Sequence, residues 1–152
     1  MRIVLAGAGM VGSGLARRLM ESKHDVVVVE REREVCERIY SQLGVTTING
    51  SATSIGILED AELARADVAV AAMRSDADNL TFALLSKNMG VERILARMRD
   101  PRYEDAYKLA GVTRVFNIVE LYVNQFTWEI EDPQMREVTS FGEGDASMVF
   151  VK

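Results

Sequence analysis

The sequence predicts an α/β protein: a doubly wound parallel sheet of six strands, followed by a C-terminal helix and a short β-hairpin. Three observations carry that prediction. Short apolar or β-branched runs alternate with segments of helical periodicity through most of the chain. Some of those runs are apolar without a break, as in Val26-Val27-Val28-Val29, which suits strands covered on both faces. A glycine-rich turn, Gly7 to Gly12, joins the first run to the first helical segment.

In order, Arg2–Ala6 is read as the first strand. The helix after the glycine turn has Val11, Leu15 and Leu19 at helical spacing on one face. Asp25–Glu30 is the second strand. Glu32–Leu43 is a helix with Val35, Ile39 and Leu43 inward, ended by Gly44. Val45–Asn49 is the third strand and Ser54–Leu63 a short helix. Asp67–Ala72 is the fourth strand, and Asp78–Met89 a helix closed by Gly90. Arg93–Met98 is the fifth strand, Pro101 opens a helix through Leu109, and Arg114–Asn117 is the sixth strand. The pattern then changes. Val119–Ile130 is a helix apolar on more than one face, Asp132-Pro133 breaks it, and Arg136–Phe141 and Ala146–Val151 are two strands joined by Gly142–Asp145. The expected organisation is a nucleotide-binding body over residues 1–118, a helix over 119–132 and a hairpin over 133–152.

With 152 residues the chain can bury a sizeable core. A net charge of -5 argues against nucleic-acid or anionic-membrane binding, both of which need a basic face. No apolar stretch approaches the ~20 residues of a membrane span, and the chain opens on a strand rather than a signal peptide. The single cysteine, Cys36, excludes an intrachain disulfide and fits a reducing cytoplasm; on its helix it reads as a small core residue.

Gly7-x-Gly9-x-x-Gly12 matches the dinucleotide fingerprint of a Rossmann-like fold. Gly7 allows the tight turn, Gly9 lets the backbone approach a pyrophosphate, and Gly12 lets the helix pack on the sheet. Ala8, Met10 and Val11 complete the turn and the helix start, where free N–H groups meet the anion. Glu30, at the end of the next strand, can accept hydrogen bonds from both ribose hydroxyls and would repel a 2′-phosphate. That favours NAD or a plain adenine nucleotide over NADP, although Arg31 beside it works against the exclusion. The other reading of Glu30 is a solvated strand end. No lysine follows Gly12, so the turn is not a P-loop.

Three further segments face the same edge. Ser51 and Ala52, in Asn49–Thr53, suit packing against an adenine ring, and suit a helix cap equally. Met73, Arg74 and Asn79 belong to the loop and helix start after the fourth strand. Arg74 can reach a phosphate, and Asp76 or Asp78 can cap the helix. Arg97 lies inside an otherwise apolar strand, either as a ligand for phosphate or a partner, or in a structural ion pair.

Catalytic groups are scarce. His24, the only histidine, precedes the second strand, away from the nucleotide edge. No tyrosine is followed by a lysine at reductase spacing, no Cys/His cluster suggests a metal, and no second domain offers a substrate pocket. An NAD-dependent oxidoreductase, or a fragment of one, is the alternative to a binding module.

Gly7 to Gly12, Val28-Val29-Glu30, Gly50-Ser51-Ala52-Thr53, Ala66-Asp67, Ser75-Asp76-Ala77-Asp78-Asn79-Leu80, Ala96-Arg97-Met98-Arg99-Asp100-Pro101 and Ile118-Val119-Glu120 together resemble the KTN (RCK N-terminal) domain of potassium-uptake and potassium-channel regulators, especially Trk-type subunits. The resemblance implies a cytosolic sensor of NAD(H) or an adenine nucleotide (ATP, ADP or AMP). It implies dimers assembled into a ring, with a helix crossing onto the partner, and an integral-membrane potassium transporter or channel subunit gated by that ring. The family often has Asp at the position of Ser51, and some ATP-responsive members have Arg at that of Met10. Its metal-assisting Glu corresponds to Glu120, here preceded by Val119 instead of proline. Members often continue into a second regulatory domain, so this chain is expected to be an N-terminal fragment or a short paralogue. The apolar circumference of Val119–Ile130 independently predicts an interface, with Phe126 and Trp128 as anchors.

Overall fold

A strand buried on both faces must be apolar at every position, and the central strands obey that rule. Residues 3–6, 26–29 and 68–71 are buried throughout. The computed structural model describes residues 1–131 with their side chains, and 135–141 and 146–151 as backbone. The chain divides into two units, Met1–Asn117 and Ile118–Lys152.

The first unit is one parallel sheet of β1 (Arg2–Ala6), β2 (Asp25–Glu30), β3 (Thr46–Asn49), β4 (Val68–Ala71), β5 (Ile94–Met98) and β6 (Arg114–Asn117), in the order β3-β2-β1-β4-β5-β6. α1 (Met10–Glu21) and α2 (Arg33–Leu43) cover one face, packing Ala16 and Ile39 on Ile3, Leu5, Val26 and Val28. α3 (Ile55–Asp60), α4 (Asp76–Asn88) and α5 (Glu104–Leu109) cover the other, burying Leu58, Phe82 and Tyr107 against Val4, Ala6, Val27 and Ile94. Ala6 is level with Val29 on one side and Ala71 on the other, so the carboxyl ends of β1, β2 and β4 form one edge. The strand order reverses between β1 and β4, which opens a crevice at that edge. The opposite edge is tied by Arg2, whose guanidinium bonds Asp25 (2.8 Å) and Glu62 (2.6 Å) and whose N–H bonds Asp67 (2.7 Å).

Several expected elements are corrected. Val11 is 40% exposed, and the buried face of α1 is Gly12 and Ala16. The smallest residues face inward because the helix lies so close to the β1 turn. The helix expected over Ser54–Leu63 stops at Asp60, since Glu62 takes a left-handed φ of 52° and a 3-10 turn, Leu63–Arg65, follows. α4 begins at Asp76 because Ser75 is its cap. The Pro101 segment starts as a 3-10 turn before α5.

The second unit comprises α6 (Ile118–Glu131) and an antiparallel pair, β7 (Met135–Phe141) and β8 (Ala146–Val151). Val119, Tyr122, Phe126 and Ile130 of α6 are each more than half exposed, and Trp128 is partly buried. The expected breaker Asp132-Pro133 and turn Gly142–Asp145 lie outside the described residues. Among the described residues no helix is long and apolar enough to cross a membrane.

Candidate functional site

The three glycines of the turn have different reasons to be glycine. Gly7 has φ +95°, a left-handed value that favours glycine, and a Cβ there would come within 3.0 Å of the Met73 side chain. Gly12 is forced by packing: a Cβ would overlap the Gly7 carbonyl oxygen. Gly9 is constrained by neither. Its φ is -67° and a Cβ would meet nothing within 4 Å. The fold tolerates a side chain at Gly9; what glycine provides is bare backbone facing open space.

That backbone is the N-cap of α1. No side chain caps this helix, and its first turn holds no acidic residue. Its leading N–H groups and the positive end of its dipole therefore face outward without a competing carboxylate in that turn. Met10 is 93% exposed beside it.

Glu30 stands next to the turn. One carboxylate oxygen accepts the Ala8 N–H (2.7 Å), the other the Glu32 N–H (3.0 Å). A carboxylate has about four acceptor positions, so capacity for ribose hydroxyls remains while the backbone bonds fix its orientation. Asn49 holds the strand end that carries it, donating to the carbonyls of Glu30 (3.1 Å) and Arg31 (3.0 Å). Cys36 packs beneath, its thiol donating to the Glu30 carbonyl (3.4 Å), and burial pushes that thiol above its ordinary pKa. Arg31 is exposed. Ser51 is exposed and shares a 2.7 Å hydrogen bond with the Thr53 hydroxyl, while Ala52 is buried.

Across the crevice, Met73 is partly buried against the glycine turn and Arg74 is exposed. Asn79, expected as a nucleotide contact, bonds the backbone around it. It is 1% exposed, and its amide is used by the backbone of Met73 and Arg97. Asp76 does not cap α4; Ser75 does, accepting the Asp78 N–H (3.2 Å). Asp76 instead accepts the N–H groups of Arg99 and Asp100 (both 3.0 Å) and lies 3.1 Å from the Tyr107 hydroxyl. Burial, then the Asp76 charge, hold Tyr107 well above its ordinary pKa, so it stays a neutral donor. Arg97 has its Nε buried without a hydrogen-bond partner. The supporting roles of Asn49, Asp76 and Tyr107 carry no local sequence signal beyond the loop positions of the first two.

His24 sits in the turn before β2, at the other end of the strand from Glu30. Among the described residues no group of three or more His, Cys, Asp or Glu is placed to hold a metal ion.

The model of the TrkA-N domain matches residues 3–118. A Trk system potassium uptake protein TrkA homolog from Methanothermobacter thermautotrophicus is 32% identical over 98% of this chain and 69% of its own length. Trk system potassium uptake protein TrkA of Mycobacterium tuberculosis is 35% identical over 98% of this chain and 68% of its own. Against an Archaeoglobus fulgidus TrkA homolog the identity is 42%, but only 24% of that longer protein is spanned. Among solved structures, the TrkA-N domain of the inner membrane protein ybaL from Escherichia coli superposes with a TM-score of 0.77 at 21% identity, over 85% of this chain and 95% of that one. The GsuK channel bound to NAD gives 0.75 at 22% identity, over 93% of this chain and 25% of that one. At those identities the two structures support the fold alone.

Proposed function

The chain belongs to the TrkA-N domain family, and from that membership we propose that it is a nucleotide-sensing regulatory subunit of a potassium transporter or channel. Its ligand is NAD(H) or an adenine nucleotide. The pyrophosphate lies over Gly9 at the α1 N-terminus, the adenosine ribose meets Glu30, and the β4 loop closes the far side. One observation carries this reading: Gly9 is bare where nothing in the fold requires it, at an uncapped helix start beside an oriented carboxylate. The names of the relatives support a potassium-transport role, and the GsuK channel, which shares the fold, has been solved with NAD bound.

The work of such a subunit is regulation rather than catalysis. Among the described residues the crevice rim offers backbone N–H groups and the Glu30 carboxylate, and the buried Tyr107 hydroxyl is engaged by Asp76 and the Arg97 carbonyl. Gating follows from linkage: a nucleotide that contacts two shapes of an assembly unequally shifts their populations, and the pore reads the shift. The exposed apolar residues of α6 support assembly into dimers and then a ring, with Phe126 and Trp128 as anchors. Location is then cytoplasmic, peripheral to the inner face of the membrane through the pore partner.

The test is isothermal titration of the chain with NAD, NADH, ATP, ADP and AMP, with analytical ultracentrifugation at micromolar concentration. Saturable binding of at least one nucleotide by a species larger than 16.9 kDa is expected. No binding of any of them contradicts the sensor reading, and a lone monomer with nucleotide bound contradicts ring gating by this chain.

A further inference from the structure

Met73 lies past the end of β4, where its N–H and carbonyl have no strand opposite them. The Asn79 side chain supplies both partners. Its Oδ1 accepts the Met73 N–H (2.9 Å), and its Nδ2 donates to the Met73 carbonyl (3.0 Å) and to the Arg97 carbonyl (3.1 Å). The amide thus acts as one extra peptide unit between the ends of β4 and β5. Few side chains can do this. A carboxylate keeps the acceptor, loses both donors and buries a charge; leucine keeps the shape and leaves the Met73 N–H and carbonyl unpaired, with the Arg97 carbonyl kept only by the Tyr107 hydroxyl (3.2 Å).

Met73, with Ala72 before it, also meets the glycine turn. A Cβ on Gly7 would lie 3.0 Å from Met73 Cγ and 3.2 Å from Met73 Cα. The backbone position of Met73 therefore sets how closely the β4 lip approaches the phosphate turn. We propose that Asn79 is a positioning residue of the nucleotide site, fixing the width of the crevice for the half of a dinucleotide that crosses from the β1 side to the β4 side. This rests on the nucleotide reading above. It separates ligands by length: AMP needs the glycine turn and Glu30, whereas NAD also needs the lip that Asn79 holds.

The experiment is titration of the full 152-residue chain and its Asn79→Leu variant with NAD and with AMP. NAD affinity is expected to fall about tenfold, the upper range for one ordinary hydrogen bond, with AMP affinity within about twofold of wild type. Equal losses for both ligands, or no loss for either, overturn the positioning role. A wild-type chain that binds neither ligand overturns the nucleotide reading itself, a result distinguishable from an unchanged ratio. Should Asn79→Leu fail to fold, hydrogen exchange on the wild type decides. The Met73 amide is expected to be protected like the amides of β4, and exchange at the rate of an exposed loop overturns the proposal.

Discussion

Two helices of nearly equal length begin on either side of the crevice, and they begin in opposite ways. α4, on the β4 side, is closed: the Ser75 hydroxyl caps it, Asp76 and Asp78 fill its first turn, and Asp76 ties it to the end of β5. α1, on the β1 side, is open: its cap is Gly9, with no side-chain bond and no acid in the first turn. Every helix start carries orphan N–H groups and a partial positive charge. One helix supplies a side-chain acceptor for one of them and acidic charge in its first turn; the other supplies neither. Absence of a cap is not enough to mark a site, since α2 and α3 lack side-chain caps as well. What sets α1 apart is open space over a glycine and a carboxylate oriented beside it.

The contrast can be broken at its centre. Gly9→Val places its Cβ in the open space over α1, where nothing lies within 4 Å. Nucleotide binding is expected to drop at least about 100-fold, roughly 2.7 kcal/mol, by titration calorimetry, with the thermal midpoint nearly unchanged. Gly12→Ala is the control of opposite sign. Its methyl group overlaps the Gly7 carbonyl, so stability should fall by about 3 kcal/mol in urea unfolding, the upper range for overpacking.

Glu30→Ala sharpens the comparison from the ribose side. Loss of a charged acceptor should weaken every adenine nucleotide by about 1 to 3 kcal/mol. Part of that loss comes through the Ala8 N–H, which is left unpaired. Unchanged affinity by calorimetry removes Glu30 from the site. The smallest effect is expected on the closed helix. Ser75→Ala should cost about 1 kcal/mol of stability, the usual value of an N-cap, with nucleotide affinity unchanged. A large loss of affinity there would move the binding end of the crevice to α4.

The open half of this contrast was legible in the sequence and much of the closed half was not. Gly7, Gly9, Gly12 and Glu30 are encoded locally: a turn, a close approach and a strand end each demand a residue type at a fixed place. Asp76 and Tyr107 act across elements, on Arg99 and on Asp76 itself, so no periodicity exposes them. Asn79 was visible as a loop-proximal polar residue, but whether it faces ligand or backbone depends on where β5 lies. Val11 misled because periodicity counts apolar residues alike, whereas the tight approach of α1 selects glycine and alanine for the sheet-facing side. The six-stranded parallel sheet followed from alternation and the glycine turn; the left-handed break at Glu62 had no sequence mark.

In the function proposed above, the nucleotide is held by the open start of α1 and not by the closed start of α4. Backbone amide chemical shifts of the nitrogen-15-labelled chain, followed while NAD is added to saturation, test it directly. Large shifts are expected at Gly7, Gly9, Met10, Val11 and Gly12, a clear shift at Glu30, and small ones at Asp76 and Asp78. Shifts concentrated at Asp76 and Asp78, with Gly9 and Met10 unmoved at saturation, would contradict it.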